Sequence, residues 1–147
     1  MSDGTRPFAV GIGNAMRGDD GVGPYVVEAL LALGHDGLVH AGDGARLIDL
    51  FGLHADLILI DATRSGAAPG TLAEYDAIAN PLPADFFHYS THRFGLAEAV
   101  ETARALDMLP ARLRVFGIEG ENFEAGTDLS PVVHAAADRL VSRLAGA

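Results

Sequence analysis

The chain contains no cysteine. Disulfides, thiolate nucleophiles, iron–sulfur clusters and cysteine-based zinc sites are therefore excluded. It contains no lysine either: all 10 basic residues are arginine, set against 20 Asp and Glu, for a formal charge of −10. A chain this acidic has no long-range attraction for a phosphate backbone or an anionic lipid surface, so neither nucleic acid nor membrane is expected as a partner. Long hydrophobic runs are missing too. Stretches such as Ala55 to Ile60 fall far short of the roughly 20 apolar residues that a membrane-spanning helix needs. The opening Met1-Ser-Asp-Gly-Thr-Arg-Pro has no basic region leading into a long apolar stretch, so no signal peptide is expected. With nothing to oxidise and no such signal, the simplest expectation is a cytoplasmic setting.

What is present is core material. The 147 residues are 49% hydrophobic and 20% charged, with a mean hydropathy of +0.22. That length suits one domain, expected over 1–147, which buries about two-thirds of its unfolded surface. No repeat, low-complexity tract or charge block divides it.

Periodicity reads as alternating strands and helices. Phe8 to Ile12 is an apolar run closed by Gly13-Asn14, hence a buried strand. Pro24 to Leu33 carries apolar residues at helical spacing and stops at Gly34. Leu38 to Ala41 reads as a weak strand and Ala45 to Gly52 as a short helix. Asp56 to Ile60 is the clearest strand and ends on Asp61. Gly70 to Tyr75 suits an edge strand, Phe94 to Leu109 a helix and Leu113 to Ile118 a late strand. Leu129 to Leu144 is the last helix, with Ser130 as N-cap and Pro131 at its first position. Continuous apolar strands separated by helices imply a mainly parallel, twisted sheet covered by helices on both faces. In such α/β folds ligands bind outside the carboxyl ends of the strands.

Three segments fall there. Gly13 to Gly23 follows the first strand, and the glycine-rich motif that begins at Gly11 departs from a dinucleotide fingerprint. Met16 stands where a small residue is needed, and Asp19 and Asp20 would repel a pyrophosphate. An acidic pair here equally suits helix capping. Asp61 ends an apolar strand, where it either takes part in chemistry or braces the next loop by accepting from Thr63 or a backbone N–H. His92 lies in Ser90-Thr-His-Arg-Phe-Gly-Leu, ahead of a helix. The other histidines, His35, His40, His54, His88 and His134, have no motif around them and read as hydrogen-bonded structural residues. Ser90 has no G-x-S-x-G elbow and sits too close to His92 in sequence for a nucleophile–base pair. Two carboxylates and an imidazole from three strand-end loops can converge on a divalent cation and leave positions open for water or substrate.

Gly11-Ile-Gly-Asn with Arg17-Gly-Asp-Asp-Gly-Val-Gly-Pro, then Leu57-Ile-Leu-Ile-Asp-Ala, Ala68-Pro-Gly-Thr and Ser90-Thr-His-Arg-Phe-Gly-Leu occur in that order. The set resembles the hydrogenase maturation endopeptidases, which trim the C-terminal extension from the large subunit of [NiFe] hydrogenases, and the resemblance runs from Val10 to the last helix. It implies a three-layer α/β/α sandwich, in agreement with the periodicity. It also implies a nickel-recognition site, carried over onto Asp20, Asp61 and His92 as metal-gripping and catalytic residues. Some relatives have Glu where Asp20 stands, and Asp19 is an adjacent competitor for the role. The implied substrate is a [NiFe]-hydrogenase large-subunit precursor. Nickel is expected to arrive on that substrate rather than reside in the enzyme, because precursor thiolates outcompete two carboxylates and one imidazole. Gly13, Gly18, Gly21 and Gly23 are expected to let the backbone turn tightly and admit an extended tail. Two other readings stay open: a small nucleotide- or ligand-binding module, and an inactive family member acting as a chaperone for the hydrogenase subunit.

Overall fold

The apolar run Phe8–Ile12 forms strand β1, as its composition predicts. The computed structural model describes residues 6–83 and 94–146. Helix α1 spans Val22–Ala32, β2 Gly37–His40, α2 Gly44–Leu53 and β3 Asp56–Thr63. Strand β4 covers Leu72–Asp76, α3 Leu96–Ala105, β5 Arg112–Glu119 and α4 Pro131–Gly146. The strands form one sheet in the order β2-β1-β3-β5-β4. β1 runs parallel to β2 and β3, and β3 parallel to β5. Only β4, at the edge, is antiparallel.

Side-chain alternation divides the core into two. From β3, Ile58, Ile60 and Ala62 pack with Val26, Val27 and Leu30 of α1 and Val133, Ala137 and Leu140 of α4. Leu57 and Leu59 face the other way, onto Leu47 and Phe51 of α2 and Leu96, Ala99 and Val100 of α3. The result is the expected three-layer α/β/α sandwich. Both faces of the central strands are dry, which is why β1 and β3 read as unbroken apolar runs rather than alternating ones.

Element ends depart from the sequence reading for local reasons. Helix α1 begins two residues early, with Pro24 inside its first turn, where a missing N–H costs nothing. Helix α3 is shorter than the periodicity suggested. The Glu98 side chain accepts from the Gly95 N–H at 3.0 Å and sets its start. Past its other end, Asp107 adopts φ 58°, a left-handed turn that stops the helix. Strand β3 runs two residues beyond Asp61. Among the described residues, no helix is long and apolar enough to cross a membrane.

Candidate functional site

The carboxyl ends of β1, β3 and β5 open onto one side of the molecule. After β1 the chain turns through Gly13, at φ 140°, and the short 3₁₀ segment Gly18–Gly21 before entering α1. Two glycines make this turn possible. A Cβ on Gly13 would collide with the carbonyl of Asp20, and one on Gly23 with the carbonyls of Ile12 and Ile60. Gly23 thus lets the first turn of α1 settle against the ends of β1 and β3, which brings Asp20 close to Asp61.

Asp61 is 7% exposed and sits on the last stretch of β3, opposite Gly117 of β5. Strand alternation turns its side chain to the face of α2 and α3. Its Oδ1 accepts from the Ala62 N–H at 2.8 Å. Burial, and then the negative charge of Asp20, push its carboxyl well above the usual range, and the Ala62 N–H opposes them. Asp20 is half-buried and accepts from the Asn14 N–H at 2.9 Å. Burial raises its pKa too, against the Asn14 N–H and the positive charge of Arg17. The structure therefore brings two of the three sequence-predicted residues together as a like-charged pair, each accepting from one N–H among the described residues. His92, the third, lies outside the described residues, as do Ser90 and His88. Among the described residues, no three His, Asp or Glu side chains gather closely enough to hold a metal ion.

Asp19 has the opposite surroundings. It is fully buried, and its carboxylate accepts from Glu121 N at 2.7 Å, Asn122 N at 2.9 Å, Ser130 N at 2.7 Å and Ser130 Oγ at 2.7 Å. Burial works to raise its pKa, but the donors from Asn122, Ser130 and Glu121 outweigh it and hold the group below its usual value. Asp19 is thus a tie between loops, and Asp20 is the member of the pair with lone pairs to offer. Ser130 does precede Pro131, and its carbonyl accepts from His134 N at 2.8 Å as an N-cap's should, but its hydroxyl serves Asp19.

A third buried carboxylate carries no motif in the sequence. Glu119, 4% exposed, ends β5 and accepts from Thr63 Oγ1 at 2.8 Å, Ser65 Oγ at 2.7 Å, Ser65 N at 2.9 Å and Gly66 N at 3.1 Å. Burial raises its pKa, and the Ser65, Thr63 and Gly66 donors bring it below the ordinary value. The bracing of the loop after β3, one reading of Asp61, is done by Glu119. The rule that singled out Asp61, an acid ending an apolar strand, would have found Glu119 after Leu113 to Ile118. A groove of ≈ 350 Å³ opens between the three loops, lined by Arg17, Arg64, Glu121, Asn122, Phe123 and Glu124. Three of the four described histidines are engaged elsewhere: His54 stacks on Phe8 at 3.8 Å, His40 Nδ1 accepts from Gly42 N at 2.8 Å, and His134 Nε2 lies 3.0 Å from the Tyr25 hydroxyl.

Comparison with known proteins points the same way. Residues 25–147 match the family model described as hydrogenase maturation protease. The hydrogenase 2 maturation protease of Escherichia coli (strain K12) is 31% identical over 137 residues, covering 88% of this chain and 82% of that protein. Among solved structures, a [NiFe] hydrogenase maturation protease from Thermococcus kodakarensis superposes with a TM-score of 0.76 at 26% identity, covering 95% of this chain and 96% of that one. An endopeptidase from Escherichia coli gives a TM-score of 0.79 at 26% identity, covering 95% and 90%. With most of the chain inside the family model and the fold matched along nearly its whole length, the chain belongs to the hydrogenase maturation proteases and is an endopeptidase.

Proposed function

We propose that this protease removes the C-terminal extension from a [NiFe]-hydrogenase large-subunit precursor, and that Asp20, Asp61 and His92 grip nickel carried by that substrate. The observation that carries the reading is the facing pair Asp20 and Asp61. Two carboxylates come from different strand-end loops, and Asp20 lies close enough for its charge to raise the pKa of the buried Asp61. Like charges kept together in a poorly solvated place are suited to a cation. A nucleotide phosphate would meet repulsion there, so the nucleotide-binding alternative finds no support in this geometry.

The chemistry follows from placement. With the substrate's nickel held by the pair and by His92, the bond to be cut lies beside a Lewis acid that can polarise its carbonyl or activate a water. Water adds its oxygen to the carbonyl carbon, the C–N bond breaks, and the leaving nitrogen takes a proton. The groove lined by Arg17, Arg64 and residues 121–124 lies among the same loops and offers a surface on which the precursor can dock. An enzyme supplying only oxygen and imidazole donors holds nickel loosely by itself, so a precursor not yet loaded lacks the shared ion that completes the site. A cytoplasmic setting fits this reading, since the chain has no cysteine to form a disulfide.

The test is to mix purified enzyme with nickel-loaded and nickel-free precursor and follow the small mass loss by mass spectrometry. Cleavage of the loaded form alone is expected. Equal cleavage of both, or tight stoichiometric nickel in the enzyme as isolated, overturns the role given to the metal. Retained chaperone-like binding with no mass loss in either form would revive the inactive-member reading.

A further inference from the structure

Asp20 follows β1 and Asp61 lies on β3; the packing of Gly23 on the strand ends brings them together, and contacts beyond the β1–β3 ladder hold their loops in place. The β1–β3 ladder ends at Gly11↔Ile60, nine residues before Asp20. Past that point the described hydrogen bonds that connect the two loops run through the exit of β5. On one side, Asp19 takes four hydrogen bonds from Glu121, Asn122 and Ser130, and its own N–H donates to Asn122 O at 2.8 Å. The Gly18 N–H donates to Thr127 O at 3.0 Å. The turn that carries Asp20 is thereby clamped to residues 121–130. On the other side, Glu119 takes the hydroxyls of Thr63 and Ser65 and the N–H groups of Ser65 and Gly66, while the Gly120 N–H donates to Thr63 O at 3.0 Å. The chain just beyond Asp61 is clamped to residues 119–120. One short segment therefore grips both halves of the site through two buried carboxylates.

The choice of carboxylates has a physical reason. Whenever both are ionised, as metal binding requires, Asp20 and Asp61 repel each other in a place where water screens poorly, so the frame holding them has to resist being pushed apart. Neutral acceptors would give a softer frame, because hydrogen bonds to an ionised acceptor are shorter and about twice as strong. Each clamp also joins residues far apart in sequence, which keeps the turns from shifting independently.

We propose that Asp19 and Glu119 are positioning residues for this protease: through the segment 119–130 they set the distance at which Asp20 and Asp61 present their oxygens to the metal. The inference rests on the site reading given above. It differs from a purely structural role in one respect. Loosening either clamp should degrade metal engagement in molecules that are still folded.

The experiment uses the full chain and Ni²⁺ added alone, measured well below each variant's melting temperature, together with kcat and KM on nickel-loaded precursor. Asp19→Asn and Glu119→Gln should weaken Ni²⁺ binding by about 10- to 100-fold, the usual effect of removing a group that orients a metal ligand. They should lower kcat more than they raise KM, because a displacement of about 1 Å at a reacting centre costs on the order of 10²-fold. If either variant fails to fold, Thr63→Val and Ser130→Ala each remove one hydroxyl donor and leave the backbone donors in place. Thr63→Val should show a smaller loss of the same kind, and Thr63→Ser, which keeps the hydroxyl, should restore it. Asp61→Asn separates the two readings. An inactive Asp61→Asn beside clamp variants with wild-type Ni²⁺ affinity and kcat overturns the positioning role alone. Wild-type processing by Asp61→Asn overturns the site reading and the positioning role with it.

Discussion

Asp19 and Asp20 are adjacent, chemically identical and set in opposite circumstances. Asp19 is fully buried with four donors on its carboxylate; Asp20 is half-buried and accepts from one N–H among the described residues. The contrast repeats at the next strands, where Glu119 is saturated by Thr63, Ser65 and Gly66 while Asp61, among the described residues, accepts only from Ala62. An ionised carboxylate has about four acceptor positions. Where the protein fills them, the charge is spent on architecture and the pKa falls; where it leaves them open, the pKa rises and the oxygens remain for a cation. In the site reading proposed above, it is therefore the acid whose acceptor positions the described residues leave open that points to function, and the number of acids says little.

The largest effect expected is on the open pair. Asp61→Asn and Asp20→Asn should each cut precursor processing by on the order of 10⁴-fold, the scale seen when one member of a cooperating site is removed. His92→Ala should do likewise. The sharper outcome concerns stability. The folded-state pKa of Asp61 lies above its unfolded value, so its ionisation costs stability as pH rises from about 4 through the folded value. Asn cannot ionise, and its oxygen can keep the Ala62 N–H. Asp61→Asn should therefore melt above wild type at neutral pH, and the gap should close in acid. Calorimetry at pH 7 and pH 4 checks this. A lower melting temperature at pH 7 would show that Asp61 is a structural acid like Glu119.

The filled pair should behave in reverse. Asp19→Asn leaves buried donors facing a group that cannot satisfy them all, at a cost of about 3 kcal/mol. For a domain of this size that is roughly 10 °C in melting temperature. Because the folded pKa of Asp19 is depressed, its contribution is present above the unfolded value near 4 and is lost as pH falls through the folded value. The wild-type and Asp19→Asn melting curves should therefore converge in strong acid. Parallel curves would show that the carboxylate charge adds nothing to the clamp.

Much of this was legible in the sequence. β1, β3 and β5 are read from unbroken apolar runs because both faces of each are dry, and Asp61 stood out as the acid that follows one of them. The edge position of Gly70 to Tyr75 was visible in its weaker pattern, but its antiparallel direction depends on pairing with β5, which local residues do not encode. The role of Asp19 was hidden for the same reason. Its donors lie 102, 103 and 111 residues away in sequence. From sequence, Asp19 and Asp20 are interchangeable, and only the partners that folding brings to one of them break the symmetry. Glu119 follows the rule that found Asp61, yet no motif surrounded it.

The smallest effect expected is also the finest test of that broken symmetry: the same added methylene at two neighbouring positions. Asp20→Glu places a longer arm where the site is partly open to solvent, and the acidic oxygen is kept. It gives up the Asn14 N–H contact, worth about 1 kcal/mol, so the melting temperature should fall by only about 3 °C. Processing should stay within about tenfold of wild type, since a 1.4 kcal/mol loss in the transition state is a factor of ten. Asp19→Glu pushes its extra methylene into a fully buried place, against four donors supplied by Glu121, Asn122 and Ser130. Overpacking of that kind costs about 1–3 kcal/mol, and the clamp geometry is lost as well. The two variants carry the same charge and composition, so any difference between them comes from position alone. Measured side by side for melting temperature and cleavage rate, Asp20→Glu should lie close to wild type and Asp19→Glu well below it. The reverse order would assign the metal to Asp19 and the tie to Asp20.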